Sequence, residues 1–331
     1  GLGDVYKRQT HDHVSSRLIG NKEWHYSNAF LRPIVLAPHS EQTIYALVST
    51  GSLQQVNEQI QKFHSTPETF ISLIQKDLNN SKDRILADGK KYEFGHRLLQ
   101  AALLSNIVYP IHTQGQYIRH FTPGKNWNSL YTWDSGFIAL GLIDVDITKA
   151  FECIRAYTTP VGSESAFIHH GTPLPIQMYA YYDLWNNTQS KETLQFLYPR
   201  LKQFFDFMIG KNPYSTTRMK GSGLLRTWDY FYNSGGWDDY PPQHTLRDKA
   251  SITPVVTSAY YIRAAKILRL AAKKLGLKKD IKEYEEIIKQ LSNALQIYSW
   301  DEETGYFGYV MHDNDGKPKG IYRYKDCLLY T

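Results

Sequence analysis

Residues 261–280 read YIRAAKILRLAAKKLGLKKD, a run in which apolar and basic residues interleave at helical spacing. This spacing predicts an amphipathic helix whose cationic face points outward, and a nucleic-acid patch is the alternative interpretation of the same charge. A second helical pattern covers 280–298, and only residues 276–279 separate the two. Because so short a connection forces antiparallel helices, the stretch predicts a helical hairpin. The basic residues are Arg263, Lys266, Arg269, Lys273 and Lys274, and the apolar ones are Ile262, Ile267, Leu268 and Leu270.

Similar helical patterns recur upstream, separated by loops rich in Gly, Pro, Asn and Trp. Paired helices with such loops predict a mainly α fold, a toroid of helical hairpins. A plain helical bundle is the alternative, with shorter and less aromatic loops. Pro199 lies within one pattern and predicts a kink or a restart of that helix. The predicted helices are 93–111, 133–142, 146–157, 175–185, 191–209, 253–275 and 280–298, and the fifth carries an apolar stripe of Leu194, Leu197, Leu201, Phe204, Phe205 and Met208.

The two ends of the chain differ from the rest. Residues 1–9, GLGDVYKRQ, and 327–331, CLLYT, resemble in-frame translations of a sequencing adapter, as found in fragments assembled from environmental DNA. We therefore expect the natural protein to continue in both directions. Alternating apolar residues around a Pro/His/Ser turn predict a strand pair in 10–51, the end of an N-terminal β-sandwich. Residues 52–92 are predicted to form linker helices, and 93–326 part of the toroid.

The composition is that of a globular protein. The chain has 331 residues, a net charge of +6, 42% hydrophobic residues and 21% charged residues. With no low-complexity run, these values exclude a disordered protein. No apolar stretch approaches the roughly 18 residues that would span a bilayer. We expect no metal and no redox or nucleotide cofactor, because neither a metal-ligand cluster nor a phosphate-binding glycine loop occurs.

Cysteine content leaves the cellular compartment open. With the adapter-like ends set aside, Cys153 is the one cysteine, so no internal disulfide is expected. A periplasmic and a cytoplasmic location both fit the sequence, and the oligomeric state is undetermined.

Aromatic residues are the unusual feature of the composition. The chain contains 25 Tyr, 14 Phe and 7 Trp, and tyrosine exceeds what a core can absorb without partners for its hydroxyl groups. Flat rings with polar edges suit a site that stacks on the C–H faces of sugars. The loops 122–132, 162–175 and 212–252 hold the unusual residues, and loops on a rigid scaffold commonly carry function.

Two of these loops each contain a candidate motif. In WNSLYTWDSGF, residues 127–137, Trp133 and Asp134 open a predicted helix, and an N-terminal cap is the simpler interpretation of Asp134. In SESAFIHHGTPLPIQ, residues 163–177, His169 and His170 lack carboxylates or cysteines at ligand spacing. They therefore make a weak zinc site, and we interpret them as hydrogen-bonding loop residues, with His170 on a pocket wall.

The third loop contains paired carboxylates. In LLRTWDYFYNSGGWDDYPPQ, residues 224–243, Trp237 and Tyr240 supply an apolar wall beside Asp238 and Asp239. Such a wall and a neighbouring negative charge both disfavour ionisation, so one of the two carboxyl groups should have a raised pKa. A carboxylic acid that keeps its proton near neutral pH is what general-acid catalysis requires. For an isolated Asp pair, capping of loop amides would be the better interpretation.

The motif has a known counterpart. SGGWDDYPPQ resembles the S-G-x-D-D-Y-P-R signature of family 63 glycoside hydrolases, and YTWDSGFIALGL is similar to their W-D-x-x-F segment. The similarity extends over about 34–325, nearly all of the chain between the adapter-like ends. It implies an (α/α)6 toroid, here incomplete, and an inverting exo-acting α-glucosidase acting on oligosaccharides. The sequence departs from the signature in the extra Trp237 and in Pro242 and Gln243, which stand where an Arg is usual.

The resemblance also implies roles for individual residues. Asp238 would be the general acid, and Asp239 would support it or bind a sugar hydroxyl. Trp133 and Asp134 would hold the terminal sugar, and Trp237 and Tyr240 would also contact the substrate. The catalytic base would be a glutamate in a later hairpin. Because Glu302 and Glu303 lie in a predicted turn, we expect this chain to lack the base and to be inactive. A trehalase-like hydrolase, a polysaccharide lyase on the same toroid and a non-catalytic carbohydrate-binding protein are the alternatives.

Overall fold

The computed structural model describes residues 34–43, 45, 47, 49, 51–82, 86–113, 116–124, 131–166, 174–226 and 252–323. The chain divides into two compact units, Gly1–Asn79 and Asn80–Thr331. Among the described residues, no helix has both the length and the apolar character needed to cross a membrane.

The first unit contains a turn and helices. His39 adopts φ of 62°, and the amide of Ser40 donates to the carbonyl of Ala37 at 3.1 Å, which places the predicted turn at this point. Helix α1 (Leu53–Ser65) begins with a capping box at Ser52, and α2 (Pro67–Lys82) follows. Residues 53–65 and 67–82 are therefore helical as predicted. The residues described within 34–51 are not in a strand, so the predicted strand pair does not appear in that part, and the β-sandwich assigned to 10–51 stays a prediction.

The second unit is mainly helical, as the hairpin pattern predicts. A 3₁₀ helix (Ala87–Tyr92) precedes α3. The α-helices are α3 (Glu93–Ser105), α4 (Thr132–Val145), α5 (Ile147–Ala156), α6 (Ile176–Thr188), α7 (Lys191–Met208), α8 (Val255–Leu275) and α9 (Lys278–Ala294). Short connections, such as Asp146 between α4 and α5 or Gly276 and Leu277 between α8 and α9, make the paired helices antiparallel.

The helices form two layers around one core. Helix α6 packs against both α4 and α8, and α5, α7 and α9 form a second layer that packs on these three helices. Helices α4 and α6 carry apolar and aromatic residues on all their faces. In α5 and α9 the apolar residues lie on one face, as expected for a covering layer. The predicted stripe of α7 is confirmed, because its residues are at most 1% exposed: Leu194, Leu197, Leu201, Phe204, Phe205 and Met208.

The inner helices begin at the same end of the unit. Gly136 in the first turn of α4 lies against Ile176, the first residue of α6, so closely that a Cβ on Gly136 would be 2.3 Å from Ile176 Cγ2. Near the start of α6, the ring of Tyr179 meets that of Tyr260 on α8 at 5.9 Å between centroids. The N-terminal ends of α4, α6 and α8 therefore lie near one another, and the loops that carry the candidate motifs precede these helices in the sequence.

Short strands correct the predicted helix 93–111. Helix α3 ends at Ser105, and β1 (Ile107–Thr113) pairs antiparallel with β2 (Gln116–Phe121). The physical reason is local, since Ile107 and Val108 are β-branched and Pro110 cannot continue a helix. Other antiparallel pairings join β3 (Ile252–Thr253) to β6 (Tyr309–His312), β6 to β7 (Pro318–Tyr322), and β4 (Trp300–Asp301) to β5 (Tyr306–Phe307).

Two further details differ from the sequence prediction. Helix α7 continues through Pro199 as one element, so the predicted restart does not occur. After α9 the chain passes through a π-helical turn, Leu295–Ser299, where an α-helix was predicted to reach 298. The outward basic face of α8 is confirmed, with Arg263, Lys266, Lys273 and Lys274 exposed, while Arg269 is half-buried beside Glu285.

A buried carboxylate joins the β4–β5 turn to the end of the described chain. Arg323 donates from Nε and Nη2 to the two oxygens of Asp301 at 2.8 Å each, and Asp301 also accepts from the hydroxyl of Thr304 at 3.1 Å. The bonds from Arg323 are the main cause that lowers the pKa of Asp301 to about 2, from the usual 3.8. Glu303 takes part through Arg323 Nη1 at 2.7 Å, as fits the predicted turn.

The Gly136 contact can be tested by substitution. Gly136→Ala should destabilise the protein by about 1–3 kcal/mol, because the added Cβ meets the side chain and backbone of Ile176. Gly95→Ala in α3 is the matched control: a Cβ added there would have nothing within 4 Å, so helix propensity should raise stability by up to about 1 kcal/mol. Denaturant unfolding measures both, and equal effects would contradict the close packing of α4 on α6.

The Asp301 cluster predicts an acid-sensitive stability. Because the pKa of Asp301 is lower in the folded state than in the unfolded state, its contribution is present above about pH 4 and disappears as pH falls through about 2. Asp301→Asn should therefore flatten the loss of unfolding free energy over that window, while Asp88→Asn, at an exposed acid in the 3₁₀ helix, should leave it unchanged. Urea unfolding over roughly pH 2 to 5 provides the measurement.

Candidate active site

The first predicted motif lies at the start of α4, as the sequence indicates. The N-cap position belongs to Tyr131, which makes no side-chain cap bond, and Asp134 sits in the first turn. The simpler interpretation of Asp134 as the N-terminal cap is therefore wrong. A carboxylate in a first turn still interacts favourably with the helix dipole.

Trp133 forms an aromatic pair at the same helix start. Its ring meets that of Phe137 edge-on at 5.0 Å between centroids. Trp133 is half-buried and Phe137 is 50% exposed, so the pair presents ring surface to solvent. An exposed aromatic surface beside a carboxylate is the combination that binds sugars through stacking and hydrogen bonds.

Tyr157, just after α5, supports this helix start. The side chain is 1% exposed, and its hydroxyl donates to the carbonyl of Phe121 at the end of β2. Burial raises the pKa of Tyr157, and the negative charge of Asp134 adds to the effect. Tyr157 therefore stays a protonated donor, which ties the β1–β2 hairpin to the core near Asp134.

The loop before α6 is held by the covering helix α7. Gln203 donates to the hydroxyl of Thr159 at 2.7 Å and to the carbonyl of Pro160 at 3.1 Å, and it accepts from the amide of Gly162 at 2.9 Å. Arg200 donates to the carbonyl of Thr158 at 3.2 Å. An amide side chain that uses both its nitrogen and its oxygen in this way fixes the first part of the loop that contains His169 and His170.

The segment 227–251 contains Asp238 and Asp239 and is called the acid-bearing segment. A tight hairpin over 217–226 precedes it. Arg218 and Leu225 form a β-bridge, and the amide of Arg226 donates to the carbonyl of Thr217 at 2.9 Å. Gly223 supports the turn with φ of 73°, a conformation that favours glycine. The hairpin is anchored in the core, since Leu225 is fully buried.

Both flanks of the acid-bearing segment rest on the same elements. On the entry side, the amide of Leu225 donates to Ser258 Oγ on α8 at 3.0 Å, and Ser222 Oγ bonds to His312 Nε2 on β6 at 2.8 Å. On the exit side, Ile252 pairs with Met311 of the same strand β6. The residues that flank segment 227–251 therefore contact α8 and β6.

A polar aromatic seam joins α6 and α8 near their N-terminal ends. Burial raises the pKa of Tyr179 to about 12, and the neighbouring Tyr260 adds to the rise. The guanidinium of Arg263 lies over the Tyr179 ring, 5.8 Å from its centroid. Sequence reasoning noted the abundance of tyrosine but missed this cluster, because a contact between different helices leaves no periodic signal.

The structure places only part of the predicted site. Trp133 and Asp134 lie together at the start of α4, whereas His170, Trp237, Asp238, Asp239 and Tyr240 lie outside the described residues. Within the described ranges, no group of His, Cys, Asp and Glu is arranged to hold a metal ion.

Comparison with protein families gives a match to part of the helical unit. Residues 175–317 match the model of the bacterial α-L-rhamnosidase six-hairpin glycosidase domain. The match covers α6 to β6, including the whole acid-bearing segment. No curated protein matches the sequence with significance.

Solved structures show a distant likeness. A GH63 mannosylglycerate hydrolase from Thermus thermophilus in complex with Tris is 18% identical, with a TM-score of 0.44 over 67% of this chain and 69% of that one. The same enzyme in complex with glucose is 19% identical, with a TM-score of 0.43 over 67% and 68%. An uncharacterised conserved protein from Thermus thermophilus is 18% identical, with a TM-score of 0.40 over 57% and 62%.

The hydrogen bond from the Leu225 amide to Ser258 can be tested by substitution, with Thr257 as the control position. Ser258→Ala leaves the buried amide of Leu225 unpaired and should cost about 1–3 kcal/mol of stability. Thr257→Val is the matched control, because Thr257 Oγ1 is buried and has no hydrogen-bond partner in the described part of the chain, so stability should be unchanged or higher. Thermal unfolding compares the two, and an equal loss would rule out a specific role for the Ser258 bond.

Proposed function

We propose that this chain derives from an inverting, exo-acting α-glucosidase of family 63 type, a proposal that the match of residues 175–317 to a six-hairpin glycosidase domain supports. Its substrate class would be oligosaccharides with a terminal α-glucosyl residue. Among the described residues, the observation that carries the proposal is the anchoring of both flanks of the acid-bearing segment at α8 and β6, at the end where α4 presents Trp133 and Asp134.

The proposed reaction begins with a protonated carboxyl group. Asp238 would donate its proton to the glycosidic oxygen as the bond to the anomeric carbon breaks. Asp239 and Trp237 are its sequence neighbours, and a negative charge and an apolar ring both favour the protonated form. Trp133 would stack on the terminal sugar, Asp134 would accept from its hydroxyl groups, and Tyr240 and His170 would complete the pocket wall.

Inversion requires a second carboxylate. It would activate a water molecule on the opposite face of the sugar, at about 6.5–9.5 Å from the acid. Glu302 and Glu303 are poor candidates, since both lie in the β4–β5 turn and Glu303 pairs with Arg323 at 2.7 Å. We therefore infer that neither glutamate is the base, and we expect no hydrolytic turnover from this chain by itself.

A second candidate substrate comes from the family match. The matching model is described as that of bacterial α-L-rhamnosidases, so a terminal α-L-rhamnosyl group is the nearest rival to α-glucosyl. The remaining alternatives are trehalase-like hydrolysis, lyase chemistry on uronic acids and non-catalytic sugar binding. Nitrophenyl α-D-glucoside, nitrophenyl α-L-rhamnoside, trehalose and a polyuronate would separate these activities in a protein extended beyond this chain.

The acid role of Asp238 predicts a dependence on the leaving group. In the extended protein, Asp238→Asn should lower kcat on maltose by orders of magnitude, because its leaving alcohol needs a proton. With α-glucosyl fluoride, whose leaving group needs none, the loss should be much smaller. Asp229→Asn, in the same loop but outside the signature, serves as the control for general disturbance.

Steady-state kinetics on maltose and on α-glucosyl fluoride would test the acid role of Asp238. Equal losses on maltose and on the fluoride would exclude Asp238 as the acid. Assay of the present chain on maltose addresses the missing base separately: robust turnover would show that the base lies within these residues.

A further inference from the structure

A groove lies on the covering layer of the second unit, and its lining includes Gln203 but neither Trp133 nor Asp134. It has a volume of about 890 Å³, which is in the range of small-molecule sites. Its walls come from α7, the segment after it, Val161, and the turn between α8 and α9. None of its lining residues belongs to the start of α4, α6 or α8.

A network of ion pairs forms one wall of the groove. Lys202 Nζ lies 3.1 Å from Asp206 and 3.8 Å from Glu283, and Lys211 Nζ lies 3.7 Å from Asp206 and also bonds to Glu283. The side chains of Lys202, Asp206 and Glu283 are only 20%, 24% and 23% exposed. Two further lining residues are joined by a hydrogen bond, which Tyr198 donates from its hydroxyl to Asp280 at 2.6 Å.

The formal charges of this wall cancel. In the network, the cations Lys202 and Lys211 pair with the anions Asp206 and Glu283, of which Glu283 is not itself a lining residue. The remaining charged residues of the lining, Lys191 and Asp280, are one of each sign. A charged ligand would therefore find no excess opposite charge. Each ammonium group has three donors and each carboxylate about four acceptor positions, so the network retains capacity for additional hydrogen bonds of both kinds. Hydroxyl groups, which donate and accept, match such a wall.

The rest of the groove is apolar. Pro199, Phe207, Leu275, Leu277 and Val161 line it, and Val161 is 65% exposed. Gln195 on α7 and Asn212 after it add amide groups to the lining. A pyranose ring has apolar C–H faces and a rim of hydroxyl groups, so it can contact both kinds of wall at once.

We propose that this groove is a non-catalytic binding site for a neutral oligosaccharide of about two sugar units. The balanced network would bind the hydroxyl groups, and the apolar residues would contact the ring faces. Such a site would hold a glycan on the outer surface independently of hydrolysis, so it does not require the proposed activity.

Methyl-labelled NMR of the full chain titrated with maltose tests the proposal. The methyl groups of Leu275, Leu277 and Val161 report on the groove, while those of Leu224 and Leu225 report on the candidate active site. We expect groove shifts that saturate with a Kd on the order of millimolar. Shifts confined to Leu224 and Leu225, or no shifts at all, would overturn the groove site without bearing on hydrolysis.

Substitutions and a charged sugar sharpen the test. Lys211→Met removes one ammonium donor and should weaken binding about tenfold, as expected for a hydrogen bond to a charged group. Lys289→Met is the matched control at an exposed lysine of α9 outside the groove, and should bind maltose normally. Unchanged affinity after both Lys211→Met and Gln195→Ala would contradict the assignment. Glucuronate binding more tightly than maltose would contradict the preference for a neutral ligand.

Discussion

Close packing of α4 on α6 at Gly136 and Ile176 is the constraint on which the rest of the helical unit depends. With a hydrogen in place of a side chain, the first turn of α4 reaches the first residue of α6 directly. Tyr179 of α6 then meets Tyr260 of α8, so the third inner helix begins at the same end. The three helices begin at one end of the unit because of these contacts and of the antiparallel hairpins.

Long loops of this kind need fixed ends to carry chemistry. Here the fixation is polar and buried: Ser258 accepts from Leu225, Ser222 bonds to His312, and Gln203 holds the loop before α6. An unpaired amide in the same place would carry a desolvation cost, so each bond also specifies one position of the chain. The layer of α5, α7 and α9 thus serves as the support of the inner layer, and its outer surface provides the groove beside Lys202 and Lys211.

Much of the helical fold could be predicted from local pattern. The stripe of α7 and the α8–α9 hairpin follow from periodicity and from one short connection, because a buried helix face must be apolar wherever the helix goes. The helix predicted over 93–111 ends earlier, at Ser105. Its last residues are apolar, as in a helix, but Pro110 and the β-branched residues favour a strand. The interpretation of Asp134 as a cap was wrong because cap position depends on backbone geometry at Tyr131. Ser258, Ser222 and Gln203 were missed because single polar residues leave no periodic signal.

By itself, the amino-acid sequence determined which segments are helical, which of their faces are buried, and which loops hold aromatic rings and carboxylates, because these properties depend on residues near one another in the chain. Only tertiary structure decided that α4, α6 and α8 begin together, that the flanks of the acid-bearing segment rest on α8 and β6, and that lysines and acids distant in sequence cancel along one groove. Those arrangements arise from contacts between separate elements. There, the absence of a side chain at a glycine or the presence of one hydroxyl group decides how closely two elements pack.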